Sequence, residues 1–423
     1  MVFFRMFIKS ICRLFFIFVL IITSLTACDK GGLSTDVSVI HRDSFVGSKG
    51  IIYEDIKSIN YRCYFDFNSK TNLLLCFDPD CNHTSVNCTA RQGRPYTFYL
   101  EDKLYYIETN MITYTDYSQA VISCLYKCDN GNREAETVAE FEGSPVSDVY
   151  IKDNALYVIA ADYKPLNSAA SNLYYLYCID LKKNSVLKTS IPLKGGLNEN
   201  YIPLGFADNK IILYHRFYDR IIKPSDYGLE GDIIDYKNNK KSYNEYMKEL
   251  NQVFHEDMYS LDLSSGKLKL LPLPVPLLIH DGTYYYNKMQ SDGSYSLMAL
   301  AIGTNKEKEI LDRPAYAVDA IDTTLFITEG AEEYSDITGK KTISVNINNA
   351  KYHLLNTETG VATEVTEPFF NGTDAQIKLI AEYEDYYIFI YSSLNEGVSQ
   401  RIGYIRKNDF FNGQIKCVLA VPI

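Results

Sequence analysis

Tryptophan is missing from this 423-residue chain, and histidine occurs only six times. No His-Glu-x-x-His, Gly-x-Ser-x-Gly, phosphate-cradling glycine loop or Gly-x-Gly-x-x-Gly occurs, so the sequence carries no local signature of a zinc peptidase, an α/β-hydrolase, a nucleotide hydrolase or a dinucleotide enzyme. Basic residues are in the minority, 42 against 53 acidic, for a formal net charge of −11. That balance opposes nucleic-acid partners and anionic lipid surfaces, both of which need a cationic face. Beyond the first 28 residues no run of 18 apolar residues occurs, so no further membrane span is expected.

What is present begins with an export leader. Arg5, Lys9 and Arg13 precede the apolar run Leu14 to Leu25, which is too short for an ordinary span. The run ends in Leu25-Thr26-Ala27-Cys28, which resembles a bacterial lipobox. That resemblance implies a signal peptide over 1–27, a diacylglycerol thioether (and so palmitate-type acylation) on Cys28, and a lipid-anchored protein on the extracytoplasmic face of a bacterial membrane. A polar tether occupies 28–36. Removing the three leader cations leaves 39 basic residues against 53 acidic, a net charge of −14.

From residue 45 the text repeats. A strand, a tight polar turn and an aromatic strand recur, as in Lys152-Asp153-Asn154-Ala155-Leu156-Tyr157 and His280-Asp281-Gly282-Thr283-Tyr284-Tyr285. Asp-Asn and Asp-Gly favour hairpin turns because these residues tolerate positive φ. Each unit continues into a second hairpin, with turns such as Ser264-Ser265-Gly266-Lys267 and Thr357-Glu358-Thr359-Gly360. The turn residues Ser48, Asp102, Asp153, Asp208, Asp281, Asp322 and Asp385 are 54, 51, 55, 73, 41 and 63 residues apart. Four strands at a period near 50 point to an all-β fold, a β-propeller over 37–423 with seven four-stranded blades, six or eight being the neighbouring counts. A pair of β-sandwiches explains the strands but not their recurrence. The strand 414–421 is expected to close the ring against a strand near Val37-Ser38-Val39-Ile40. The longest spacing holds an insertion, 217–257. In it Ser242-Tyr243-Asn244-Glu245 has capping-box spacing. Tyr243, Tyr246, Met247, Leu250, Val253 and Phe254 share one helical face, which predicts a short helix over 242–254 lying on a blade edge.

Most of the 36 tyrosines fall in alternating strand patterns, where they fit a half-buried pleated surface. His41, His215, His255, His280 and His353 are scattered singly; His280, beside the Asp281-Gly282 turn, is the one nearest a loop that can meet a ligand. Cys124 and Cys128, on one face of a strand, stand about 13 Å apart and cannot bond each other.

The densest chemistry is in the loop 76–95. Cys76, Cys81, His83 and Cys88 have the ligand types of a structural zinc site. A hairpin centred on Ser69-Lys70 places Cys63 opposite Cys76, either as a substitute ligand or as a disulfide partner. Two disulfides or one zinc ion therefore both remain open, and both are structural. The run Leu75-Cys76-Phe77-Asp78-Pro79-Asp80-Cys81-Asn82-His83, continuing to Cys88, resembles a segment in a group of uncharacterised Firmicutes-type bacterial lipoproteins with propeller-like repeats. The resemblance implies a fold and a location but no activity. The expected function is that of a non-catalytic binding protein for a glycan, peptide or partner protein. A propeller lyase or hydrolase with acid/base residues at the central channel, and a structural scaffold, are the alternatives.

Overall fold

The computed structural model describes residues 37–419 apart from 56–60, 77–80, 82–87, 89, 91–94, 102, 114–118, 130–134, 163–171, 194, 208, 230–239, 316, 322, 330, 336–340, 346–350, 366–374, 394–399 and 412–417. The leader 1–27, Cys28, the tether to Asp36, His83 and Cys417 lie outside the described residues.

The protein is mainly β, a propeller of five separate four-stranded blades and one larger sheet. In chain order come β1 (Val37–Ile40), β2 (Ser44–Val46), β3 (Gly50–Asp55), β4 (Tyr61–Asp66) and β5 (Thr71–Leu74). Next, β6 (Phe98–Leu100), β7 (Lys103–Thr113), β8 (Gln119–Asp129) and β9 (Glu136–Glu142) make one blade. After them come β10 (Ser144–Pro145), β11 (Val149–Lys152), β12 (Ala155–Asp162), β13 (Leu173–Asp180) and β14 (Ser185–Ile191). The larger, ten-stranded sheet runs β14-β13-β12-β11-β1-β2-β3-β4-β5, with β10 beside β12.

The remaining blades are regular meanders. They are β15 (Leu197–Ala207), β16 (Lys210–Tyr218), β17 (Phe254–Asp262) and β18 (Leu268–Leu271), then β19 (Leu278–His280), β20 (Thr283–Met289), β21 (Tyr295–Ala301) and β22 (Lys306–Leu311). In the next blade β23 (Ala317–Ile321) and β24 (Thr324–Glu329) are separated from β27 (Lys351–Asn356) and β28 (Ala362–Val365) by a side hairpin, β25 (Ala331–Ser335) with β26 (Lys341–Val345). The last is β29 (Ala375–Tyr383), β30 (Tyr386–Ser393), β31 (Gln400–Arg406) and β32 (Val418–Leu419).

Alternation in sequence becomes alternation in burial. Along β15 every second residue from Glu199 to Ala207 is buried. The buried faces then meet the next sheet in turn. Phe98 and Leu125 pack with Ile52, Leu156 and Ile179, and Leu176 packs with Tyr201 and Leu213. Ile212 meets Tyr284, Tyr285 meets Leu325, and Phe326 meets Phe389. Ile388 and Ile402 of the last blade finally pack on Ile51 and Phe65 of β3 and β4, which closes the succession. The Tyr383 hydroxyl donates to Asn68 Oδ1 across that junction at 2.6 Å.

Closure does not use the strand exchange expected from sequence. Val418 and Leu419 pair with Tyr404 and Gly403 of their own blade, and Val37 to Ile40 pair with Lys152 to Val149 of β11. Each terminal strand satisfies its backbone on a different neighbour, so side-chain packing joins the last blade to β3 and β4.

The two edges of the sheets differ. In a meander the first–second and third–fourth turns lie on one rim, while the second–third connection and the passage to the next sheet lie on the other. On the turn rim, Asp153 and Asn154 both have positive φ (50° and 62°), as do Asp281 and Gly282 (45° and 67°), the backbone of type I′ hairpins. The loop rim carries the long connections, including the inserted helix.

That helix, α1, spans Lys240–Val253, so Ser242 lies inside its first turn and not ahead of it as an N-cap. The capping-box reading is corrected, because Ser242 is the third helical residue. The apolar face holds as far as the helix runs, with Tyr243, Tyr246, Met247 and Leu250 half-buried and Val253 buried, whereas Phe254, expected on the same face, opens β17 instead. Tyr246 meets Tyr227 of a short 3₁₀ turn edge to face, Glu249 pairs with Arg220 and Tyr227, and Asp219 N–H donates to Val253 O. Local partners within its own insertion hold the helix beside β17. A second, short helix, α2 (Lys407–Phe411), comes after β31.

Candidate functional site

The loop rim gathers nearly all the unusual chemistry. Cys76 lies two residues beyond the end of β5, and its Sγ lies with those of Cys81 and Cys88 in a group whose members are all within 4.8 Å of one another. Cys88 is buried, Cys76 and Cys81 half-buried, and all three pack against the apolar cluster shared with the β6–β9 blade. Their thiols hydrogen-bond to that of Cys88, and burial first of all pushes the Cys88 thiol up to about 12.

Cys63 does not join them. The β4–β5 turn closes on Asp66 opposite Thr71, which sets Cys63 against Leu74 and not Cys76. The four-residue turn 67–70 is centred one residue earlier than the hairpin expected from sequence, and in an antiparallel ladder that moves the partner by two. Cys63 is buried on the other face, among Ile51, Phe65 and Ile388. It is thereby corrected as a substitute ligand and as the partner of Cys76.

Four of the histidines that stand singly in sequence have carboxylate partners, and all four pairs are on the loop rim. His41 Nδ1 lies 2.9 Å from Asp148 Oδ1, and His255 Nε2 2.6 Å from Asp219 Oδ2, both exposed or half-exposed. The other two are enclosed. His215 Nε2 lies 2.9 Å from Glu199 Oε1, and both side chains are 0% exposed. His353 Nε2 lies 2.7 Å from Glu329 Oε1, with both 6% exposed, and Arg313 Nε reaches the same oxygen at 2.8 Å. His280, the histidine singled out from sequence, pairs with Thr283 on the turn rim, away from these groups.

The Glu199 environment is built by an irregular start to β15. The ladder shifts register between Leu197 and Asn200, a bulge that turns Glu199 inward, and Asn198 takes positive φ (49°). Gly195 N–H donates to Glu199 Oε2 at 3.2 Å, and the Tyr201 hydroxyl reaches Oε1 at 3.4 Å. Gly196 passes so close to Phe217 that a Cβ there would meet the ring at 2.4 Å. His215 is sandwiched between Tyr201 (ring centroids 4.4 Å apart) and Phe217 (5.0 Å). Its Nδ1 is 4.0 Å from the half-exposed Asp257 carboxylate. Burial of this order excludes a bulky substrate from the imidazole while keeping the pair in register. A signal was available in sequence: Glu199 shares the buried parity of Tyr201, and His215 that of Leu213, on two strands joined by a tight turn.

Among the described residues no helix is long and apolar enough to cross a membrane. No family model matches the chain, and no curated protein matches it. Solved structures similar to it include the β-propeller domain of the Trilobed protease from Pyrococcus furiosus (8% identity, TM-score 0.46, covering 91% of this chain and 98% of that one). The acylaminoacyl peptidase of Pyrococcus horikoshii is similar at 9% identity and TM-score 0.44, over 88% of this chain and 53% of that one, so this chain spans about half of that protein. TolB from Acinetobacter baumannii is similar at 12% identity and TM-score 0.28, over 87% of this chain and 79% of that one.

Proposed function

We propose that the protein is a lipid-anchored, extracytoplasmic seven-bladed propeller that binds a glycan, a peptide or a partner protein on its loop rim without chemically changing it. The seven-blade count takes the ten-stranded sheet as two blades joined through β1, each with four strands of its own besides β1 and β10. Cys28 is the lipidated residue and the segment 28–36 the tether, on the lipobox resemblance and the −14 charge of the chain beyond the leader. The membership proposed is in the Firmicutes-type lipoproteins that share the Cys76–Cys88 segment.

The observation that carries the binding reading is the division of the rims. Long connections, the α1 insertion and the β25–β26 hairpin all rise from one edge, as a rim given over to contact would require. The enclosed His215–Glu199 and His353–Glu329 pairs favour a holding role, since groups shut from solvent hold a surface in shape more readily than they transfer protons to a substrate. The enzymatic alternative has one foothold, the half-exposed Asp257 beside His215.

The test uses the detergent-solubilised full chain on glycan and peptide arrays. Specific retention that is lost when the β25–β26 hairpin is shortened supports the reading. Turnover of a retained polymer that stops with Asp257→Asn overturns it in favour of the enzyme. Palmitate labelling that survives Cys28→Ala removes the anchor from the proposal.

A further inference from the structure

Three thiols in mutual contact pose a question that two disulfides no longer answer. With Cys63 on the opposite face of the sheet, Cys76, Cys81 and Cys88 are an odd set, each within 4.8 Å of the other two. Oxidation would join two of the sulfurs and leave the third enclosed beside the bond. A metal ion accepts all three. A zinc–sulfur bond of about 2.3 Å sets the sulfurs of a tetrahedral site about 3.8 Å apart, so closing this triangle onto an ion needs a movement of about 1 Å or less.

Strand β4 adjoins the segment that carries the thiols. Strand alternation puts Arg62 on the face of β4 opposite Cys63, the side on which the three thiols pack. Arg62 is 2% exposed, and its Nε and Nη1 have no hydrogen-bond partner among the described residues. Its Nη2 donates to Arg42 O at 3.4 Å and lies 4.0 Å from Glu54 Oε2, so the guanidinium already has a carboxylate beside it. The backbone joins the same two regions: Arg62 N–H donates to Ala90 O at 2.6 Å, and Leu75 N–H to Arg62 O at 2.9 Å.

We propose that Cys76, Cys81 and Cys88 form a thiolate site for a closed-shell soft cation, zinc(II) foremost, which clasps the first part of the β5–β6 connection together beside β4 and β5. Cysteine protons leave as the ion binds. The site is structural, and it stands whether or not the binding role of the loop rim does.

The test is made on the full chain purified anaerobically in detergent without chelator. Elemental analysis is expected to find about one zinc per chain, with an X-ray absorption shell dominated by sulfur at about 2.3 Å. Cys76, Cys81 and Cys88 should resist alkylation until a chelator is added, then react together as zinc is released. Cys76→Ser or Cys88→Ser should abolish zinc retention, whereas Cys63→Ser keeps it. The proposal is overturned by a disulfide among the three thiols in freshly isolated protein, or by metal-free protein whose three thiols alkylate at once. Both measurements are made on the unaltered chain, so a variant that fails to fold leaves the answer intact.

Discussion

The turn rim and the loop rim are made from the same strands, yet they obey different rules. On the turn rim each connection solves its own problem. Asp153-Asn154 and Asp281-Gly282 supply positive φ where the hairpin needs it. Asp262 and Asn356 each accept hydrogen bonds from the backbone N–H groups two and three residues on, within turns that end on Gly266 and Gly360. On the loop rim the solutions are distant in sequence: His353 finds Glu329 across a hairpin insertion, and the cysteines meet through a long connection. Local chemistry repeats and long-range chemistry individualises, so the rim most free to carry a function is the one whose partners are far apart.

The largest expected effect comes from removing one member of the enclosed pair. Glu199→Ala leaves His215 facing an emptied, fully buried site and strips Gly195 N–H of its acceptor. Breaking a buried, hydrogen-bonded pair in this way costs about 3–5 kcal/mol. Chemical denaturation should show that loss for Glu199→Ala, and about 1 kcal/mol or less for His255→Ala at the exposed Asp219 pair. Equal losses at the two sites would erase the distinction between the enclosed and the open parts of the loop rim.

Next in size is the irregular entry to β15. Gly196→Ala sets a methyl group 2.4 Å from the Phe217 ring, which itself packs on His215. Overpacking of this kind costs about 1–3 kcal/mol. If Phe217 is the obstacle, Phe217→Ala should tolerate Gly196→Ala with a smaller further loss, measured as a double-mutant cycle.

This contrast explains what could be read in advance. Strand recurrence, the four-strand repeat and the type I′ turns depend on neighbours within a few residues, and they were legible. So was the helical face from Tyr243 to Val253. The β4–β5 register was not, because a one-residue difference in where the turn 67–70 is centred carries Cys63 from Cys76 to Leu74. The histidine pairs were legible only in part: strand parity puts Glu199 and His215 on buried faces, but the bulge at the start of β15 has no signature in composition. The pairing of β1 with β11 was equally hidden, since a four-residue apolar strand fits many edges and only the assembled ring shows which one is vacant.

On the turn rim the effects should be smaller and separable. Asn154 holds φ at 62° in a two-residue hairpin. Replacing it with valine forces a β-branched residue into the left-handed region at about 1–2 kcal/mol, whereas Asn154→Gly should be close to neutral. A thermal melt that ranks the two variants the other way would mean the turn conformation is not set by this residue.

The smallest effect is also the most specific. Asp262 accepts from the hydroxyls of Ser264 and Ser265 and from the backbone N–H groups of both, which hold its carboxyl well below the usual range, at about 2. Because the folded value is depressed, the turn's contribution is fully present above the unfolded carboxyl pKa near 4 and is lost as pH falls through about 2. Asn356 makes the equivalent bonds to Glu358 and Thr359 with a neutral amide oxygen, so its turn has no such dependence. The stability difference between the unaltered chain and Asp262→Asn should therefore shrink between about pH 4 and pH 2. The difference for Asn356→Ala should stay flat over the same range. A flat response at Asp262 would show that the two turns are held alike, by geometry alone and not by charge.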